Sequence, residues 1–242
     1  ELTNEEVAYL DAGQVGSGQS GTGISFEEWT GLFRLRTMWG MMLGFGGINY
    51  TAWLYLSWLP GYLQTARHLS LARSGWLAAI PYLAGSLGMY VNGVVADRLV
   101  RGRPTVGSDL RSASNLMRGR KRLIIGGMVC SAGCTLAVTH TATVAGVVTV
   151  ISLALFFIHF AGTSAWGLVQ VAAPARIVAS VGAIQNFGSF VCASVAPVLT
   201  GFILDHTHSF ALALTICAGV TLLGAVAYAS IVKRPIPVRR TI

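Results

Sequence analysis

Charge is what this sequence has least of. Only 11% of its 242 residues are charged, against about 25% in a typical soluble domain. Hydrophobic residues make up 53% of the chain, and the mean hydropathy is +0.63. A soluble fold of this size would lack the charged shell it needs, and disorder is excluded because it requires low hydrophobicity. The composition therefore predicts a polytopic membrane protein.

Cysteine is also scarce, and its placement excludes a metal centre. The four cysteines all lie inside apolar runs, with no second cluster of His or Cys residues nearby: Cys130, Cys134, Cys192 and Cys217. A zinc site would need paired clusters of ligands, whereas free cysteine usually behaves as a small buried apolar residue. We therefore predict four buried thiols, no metal and no cofactor.

Long apolar runs dominate the rest of the sequence. Each is close to the roughly 20 residues that an α-helix needs to cross a bilayer. The six predicted helices are 37–59, 74–96, 123–141, 144–169, 177–203 and 209–232, and Pro60 is expected to end the first. They predict an all-α domain of six transmembrane helices over 37–232, between a polar linker, 1–36, and a tail, 233–242. The linker lacks the basic and apolar pattern of a signal peptide, so none is expected.

The basic residues predict how these helices are oriented. The net charge is +8 and the pI is about 9.8, but most cations lie in the short gaps between apolar runs. With six spans, 15 of the 17 Lys and Arg residues fall on one side, and only Arg67 and Arg73 on the other. The positive-inside rule then makes both ends and the 97–122 loop cytoplasmic. Since this rule accounts for the basic loop, no nucleic-acid partner is predicted.

Uncharged polar residues form faces on three of the predicted helices. Amides are costly against lipid, so such faces must meet protein or a water-filled cavity. Asn and Gln can equally act as hydrogen-bonding glue between helices, and both interpretations stay open. The faces are Asn49, Tyr50, Trp53 and Ser57 on the first helix, His159, Thr163, Trp166 and Gln170 on the fourth, and Gln185 and Asn186 on the fifth.

His159 is the one ionisable residue predicted at mid-depth. Burying such a group is costly, so it is a candidate functional residue, here a proton-linked one. A neutral imidazole that hydrogen-bonds a neighbouring helix is the alternative. No Asp, Glu, Lys or Arg is predicted within the spans.

A motif ends the second predicted helix. It reads Gly93-Val-Val-Ala-Asp97-Arg98-Leu-Val-Arg101 and resembles the G-x-x-x-D-R-x-x-R signature of the major facilitator superfamily. The resemblance implies a conformational latch at the cytoplasmic end of the helix, formed by Gly93, Asp97, Arg98 and Arg101. The aspartate could meet a helix N-terminus and the arginines could meet acids or anionic lipid. An ordinary cluster of snorkelling cations is the alternative.

Longer stretches resemble a narrower group, the anion:cation symporter family. They are 39–63, containing Asn49-Tyr50 and Ser57-Trp58-Leu59-Pro60-Gly61, and 166–188, containing Trp166-Gly-Leu and Gln185-Asn186-Phe-Gly188. They look like helices seven, ten and eleven of that family. The resemblance implies that this chain is the second half of a twelve-helix major facilitator fold. The linker would be the central cytoplasmic loop, and the N-terminal six-helix half would be a missing partner.

The same resemblance implies a function. The expected activity is symport of an organic acid anion, such as a sugar acid or aromatic acid, with H⁺ or Na⁺ across the cell (inner) membrane. The residues implied in substrate binding are Tyr50, Ser164, Trp166 and Asn186, with Asn49, Thr163 and Gln185 as weaker candidates. Ser164 and Trp166 lie about 200° apart on a regular helix. Either Gly162 and Gly167 break the helix, or Thr163 is the better partner for Trp166.

Other functions are left open. Because no embedded carboxylate or cation is predicted, we expect the titrating group and the counter-charge for the substrate to lie in the missing half, unless His159 serves. The alternatives are a superfamily carrier for a neutral or cationic solute, a membrane scaffold or receptor, and an inactive truncated fragment. An enzyme is not expected, since no carboxylate orients His159 and no nucleophile elbow is present.

Overall fold

The structure is a computed structural model that describes residues 24–65, 68–100 and 110–236. The described residues form one short helix, six long helices and a single 3₁₀ turn at Ala175–Ile177. The α-helices are α1 (Phe26–Leu32), α2 (Arg36–Thr65), α3 (Leu71–Val100), α4 (Leu110–Val138), α5 (Val144–Ala172), α6 (Val178–Thr207) and α7 (Phe210–Ser230). All but α1 and α2 are both long and apolar enough to cross a membrane. The prediction of an all-α membrane protein is therefore confirmed.

Two predicted boundaries are wrong. Helix α2 continues five residues past Pro60 to Thr65, because a proline removes only one backbone donor and a membrane helix has no water to reward ending there. Helix α4 begins at Leu110 rather than 123, so much of the predicted basic loop is helical. The inserted residues 104–109 lie outside the described part of the chain.

Small residues set the packing of the bundle. Helix α2 packs against α6 and α7, α4 packs against α5 and α7, and α3 packs against α5. A Cβ atom added at Gly44 would come 2.5 Å from the Tyr228 ring, and one at Gly224 would come 3.0 Å from the Gly44 carbonyl oxygen. Close contact of this kind is how helices associate where lipid removes the hydrophobic driving force.

Helices α3 and α6 are the least covered spans. Within the most apolar window of each span, 28% of α3 and 33% of α6 residues are buried, against 39–44% in α4, α5 and α7. Large apolar side chains stand out on both, including Trp76 and Leu83 on α3 and Phe187 and Val198 on α6. The bundle therefore has extensive apolar surface on these two helices.

The prediction of four buried thiols is wrong for one cysteine. Cys217 is buried between helices, and Cys134 and Cys192 are partly buried, but Cys130 is exposed. On a lipid-facing helix, an apolar neighbourhood in sequence does not require burial in protein.

Both described ends of the chain meet at the end of the bundle where α2 begins, which we call the basic end. Ser25 caps α1 and Glu28 completes its capping box. The Glu28 carboxylate pairs with Arg176, and the hydrogen bond from Arg176 lowers the pKa of Glu28. The Ile236 amide donates to the Ala172 carbonyl at 2.8 Å. The linker therefore contains an ordered helix that the sequence analysis missed, although Ser25-x-x-Glu28 was a readable capping signal.

Candidate functional site

Helix α5 is regular from Val144 to Ala172, so Gly162 and Gly167 do not break it. The predicted face of His159, Thr163, Trp166 and Gln170 stays partly or fully exposed along its whole length. Ser164 is 0% exposed and points elsewhere. Trp166 and Ser164 therefore lie on different faces of α5, as the helical geometry required.

Ser164 is already engaged with α3. The Asn92 amide nitrogen donates to the Ser164 hydroxyl at 2.7 Å, and that hydroxyl lies 3.1 Å from the Asn92 carbonyl oxygen, to which it can donate. Both side chains are fully buried. Asn92 was missed by the sequence analysis, although it is an amide inside an apolar run and carried the same signal as Asn49.

Trp166 joins three helices. Its ring meets Phe45 of α2 edge-to-face, with centroids 5.7 Å apart. A Cβ atom added at Gly182 of α6 would stand 3.2 Å from the Trp166 ring. Trp166 is still 44% exposed, so the described neighbours hold its ring on one side and leave the other side uncovered.

The Asn49 amide of α2 bonds a serine of α6. The Asn49 amide donates to the Ser189 hydroxyl at 2.7 Å, and that hydroxyl donates to the Asn186 backbone carbonyl at 2.7 Å. The Asn186 side chain is half-buried. We call Asn49, Trp166, Asn186 and Ser189 the polar wall. Ser189 was not predicted, since a lone serine in an apolar run carries no distinguishing signal.

Two other predicted residues lie deeper. Tyr50 is only 4% exposed, and Gln185 is fully buried. Neither polar atom of the Gln185 side chain has a hydrogen-bond partner among the described residues. A buried amide without partners costs about 1–3 kcal/mol.

His159 lies against α3. A Cβ atom added at Gly85 would come 2.5 Å from the imidazole Cδ2, so the ring occupies the space that the glycine leaves. The Thr163 hydroxyl donates to the His159 carbonyl at 3.1 Å, which leaves that threonine able only to accept further hydrogen bonds.

The latch residues lie at the end of α3, with Arg101 outside the described residues. A Cβ atom at Gly93 would meet nothing within 4 Å, so no described helix packs closely against this glycine. Asp97 interacts electrostatically with Arg120 of α4, and the guanidinium of Arg120 packs over Gly167 of α5. Because α4 begins earlier than predicted, Arg120 is a helical residue that meets α3 and α5 rather than a loop residue.

The polar wall can perform one kind of chemistry. The half-buried amides of Asn49 and Asn186 can donate to and accept from hydroxyl groups, and the partly exposed indole has an aromatic face for C–H groups. The Ser189 hydroxyl is buried and already bonded on both sides. No carboxylate lies on the described part of this wall. The bundle thus defines an all-helical membrane protein with an uncharged polar wall on α2, α5 and α6.

Comparison with known proteins identifies the family. The family model of the Major Facilitator Superfamily matches residues 11–197, which is well over half of the chain. The chain belongs to the Major Facilitator Superfamily, as its Gly93–Arg101 motif implied.

Individual relatives are transporters by name. The chain is 57% identical over 236 residues to the "Probable L-galactonate transporter" of Escherichia coli strain K12, an alignment that covers 98% of this chain and 49% of that protein. It is 29% identical to the "D-galactonate transporter" of Escherichia coli O6:H1, over 85% of this chain and 44% of that protein. It is 28% identical to the "Hexuronate transporter" of Bacillus subtilis, over 78% and 43%. The chain spans about half the length of the curated relatives it matches.

Proposed function

We propose that this chain is the second six-helix half of a twelve-helix secondary carrier for a sugar-acid anion, coupled to a cation that we take to be H⁺. The observation that carries the proposal is the 57% identity, along nearly the whole chain, to a protein named as an L-galactonate transporter. Two relatives at 28–29% identity also bear sugar-acid names. The covered half-length and the six long helices support one repeat of the fold.

The missing half would cover α3 and α6. These helices are the least buried spans and carry large exposed apolar side chains. In a carrier built from two halves, the substrate site lies between them near mid-membrane, and rocking of the halves gives alternating access. The polar wall lies on α2, α5 and α6, so one of the helices to be covered also contributes to it.

Within this site we assign a role to each predicted residue. Asn186 is half-buried and would bond a hydroxyl or carboxylate oxygen of the substrate. Trp166 is exposed and would contact the apolar side of the sugar chain. Tyr50 and Gln185 would bind where the solute reaches deepest. Ser164 would act through its bond to Asn92 unless substrate displaces that bond. Asn49 and Thr163 complete the surface as acceptors or positioning groups.

The charges required for anion symport would come largely from the other half. The described wall offers no carboxylate to titrate. The half-buried Arg120 is engaged with Asp97 at the basic end. His159 is the local exception, since it lies near the middle of α5 beside α3. The latch of Gly93, Asp97, Arg98 and Arg101 would stabilise one transport state, with Arg120 as an additional partner for Asp97.

The orientation follows from the cations. We propose that the protein lies in the cytoplasmic membrane with its basic end inside the cell. Residues 1–36 would form the central cytoplasmic linker, 37–232 the transmembrane domain with α2 as its sixth span, and 233–242 the cytoplasmic tail. Helix α2 differs from the other proposed spans in composition, because glycine, aromatic residues and Asn49 take the place of aliphatic residues.

The test is reconstituted uptake. The chain is co-expressed with the first half of the Escherichia coli L-galactonate relative, purified, and placed in proteoliposomes. Uptake of labelled L-galactonate and D-galactonate is measured with an inward H⁺ gradient, with an inward Na⁺ gradient, and with a protonophore. We expect uptake that needs both halves and the H⁺ gradient, and that falls at least tenfold in Asn186→Ala but not in the control Ser152→Ala, whose hydroxyl bonds its own helix.

The other outcomes identify the alternatives. Uptake of a neutral sugar or a cationic dye, with no galactonate uptake, would replace the anion carrier with a different superfamily carrier. Assembly with the first half but no uptake of any solute would indicate a scaffold or an inactive fragment.

A further inference from the structure

A groove lies on α2 beside the polar wall, on the side that faces α7. It has a volume of about 350 Å³ and lies between α2 and α7, with Cys192 of α6 at its floor. Gly46, Gly47 and Gly224 line it, and the exposed side chains of Leu43 and Val226 form its edges. None of the predicted substrate-binding residues borders this groove.

The groove extends over one leaflet of a bilayer. On α7 it runs from Val220 to Ile231, which is about 16 Å at a rise of about 1.5 Å per residue. The hydrocarbon core of a bilayer is about 30 Å thick. The groove therefore starts near the middle of the membrane and ends at the basic end of the bundle, where α7 ends.

Cations surround the end of the groove. The Lys121 ammonium donates to the Val232 carbonyl at 2.6 Å and to the Ala229 carbonyl at 3.3 Å, directly beside the groove residues Ser230 and Ile231. The charges of Lys121 and Lys233 repel each other, so these two lie close together. Arg234 follows in the chain and is exposed.

These cations have no acidic partner in the described structure. The ion pair formed by the described residues joins Glu28 to Arg176, and Asp97 interacts with Arg120. Repelling ammonium groups at a membrane surface are stabilised by an anion, and anionic lipid headgroups supply about 1 kcal/mol per nearby Lys or Arg.

We propose that this groove binds one anionic phospholipid, with an acyl chain between α2 and α7 and its phosphate against Lys233 and Arg234. The apolar lining and the length of the groove, about one leaflet, fit the acyl chain. The cations at the end of the groove fit the phosphate. This proposal requires that the chain spans a membrane. The proposed orientation decides only that the lipid belongs to the inner leaflet. It does not require transport.

The test is lipid retention by the full chain in mild detergent, followed by native mass spectrometry with added phosphatidylglycerol or phosphatidylcholine. We expect at least threefold higher occupancy by phosphatidylglycerol. Val226→Trp and Ser230→Leu should each lower the occupancy by at least threefold, because both fill the groove. The control Val129→Trp lies on α4 with similar exposure and should leave the occupancy unchanged. Two groove variants are used so that misfolding of one, judged by circular dichroism, does not decide the result.

The headgroup part is tested by charge. Lys233→Gln with Arg234→Gln should reduce phosphatidylglycerol occupancy to the phosphatidylcholine level, while Arg118→Gln, an exposed cation bonded to Ser114, should not. Equal retention of the two lipids by the unaltered chain would overturn the proposal, as would full retention in both groove variants. A dimer that forms through this face and excludes lipid would also overturn it. Each outcome is independent of galactonate uptake, so failure here leaves the proposed function standing.

Discussion

Two neighbouring glycines on α4 should respond to the same substitution with opposite signs. A Cβ atom at Gly127 would stand 2.9 Å from the Phe157 carbonyl oxygen and 3.0 Å from the Ala161 Cβ, whereas one at Gly126 would meet nothing within 4 Å. At Gly127 the obstacle is the backbone of α5, which cannot rotate away. We therefore expect Gly127→Ala to separate α4 from α5 and to destabilise the bundle by about 1–3 kcal/mol, the usual cost of overpacking.

Gly126→Ala should instead stabilise, by up to about 1 kcal/mol, because alanine restricts the unfolded backbone and favours a helix. The assay is unfolding of the purified chain in mixed micelles of increasing SDS content, followed by circular dichroism. Two variants that differ by one position share expression, mass and composition, so their difference isolates the contact. Equal stability of the two variants, or a stable Gly127→Ala protein, would refute the packing described for α4 and α5.

Three further outcomes are expected. In a double-mutant cycle, the effects of Asn92→Ala and Ser164→Ala on the free energy of unfolding should couple by about 0.6 kcal/mol and at most about 1.7 kcal/mol, measured by the same SDS unfolding. Zero coupling would contradict the bond between these residues of α3 and α5. Because the pKa of Glu28 is lowered by Arg176, docking of α1 should be complete above the ordinary glutamate pKa and be lost as pH falls through the lowered value. Glu28→Gln should abolish that pH dependence, measured by the fluorescence of a sample in which Trp29 is the single tryptophan. In the reassembled carrier, His159→Gln should keep proton-coupled uptake; lost coupling with intact substrate binding would show that this histidine carries the proton.

Composition and hydrophobic runs were enough to predict most of the fold. Scarce charge identified a membrane protein, and apolar runs near the length of a bilayer crossing located the six long helices. The errors fell where sequence reports only a local preference. Pro60 was expected to end α2, yet the helix continues because neighbouring helices and lipid leave no better conformation for the backbone. Residues 110–122 were predicted to belong to a basic loop, yet they are helical and place the Arg120 guanidinium against Gly167.

The site was predictable in part. Amides and aromatics on apolar helices were recognisable because burying them in lipid is costly. In the structure Trp166 contacts Phe45 of α2, and Asn49 bonds Ser189 of α6; their role in substrate binding stays a prediction. Asn92 gave the same signal and was overlooked. Ser164 could not be assigned from spacing, since which face of α5 meets α3 depends on how the helices pack.

The sequence by itself determined the class of protein, the helical content and the family, because these depend on composition, run length and local motifs. Only the tertiary structure decided which polar groups pair with each other and which stay open to a solute. It also decided which glycines lie against a neighbouring helix, and where α2 and α7 leave a groove with cations at its end. Those features arise from the rotation and separation of whole helices, which no single run of residues encodes.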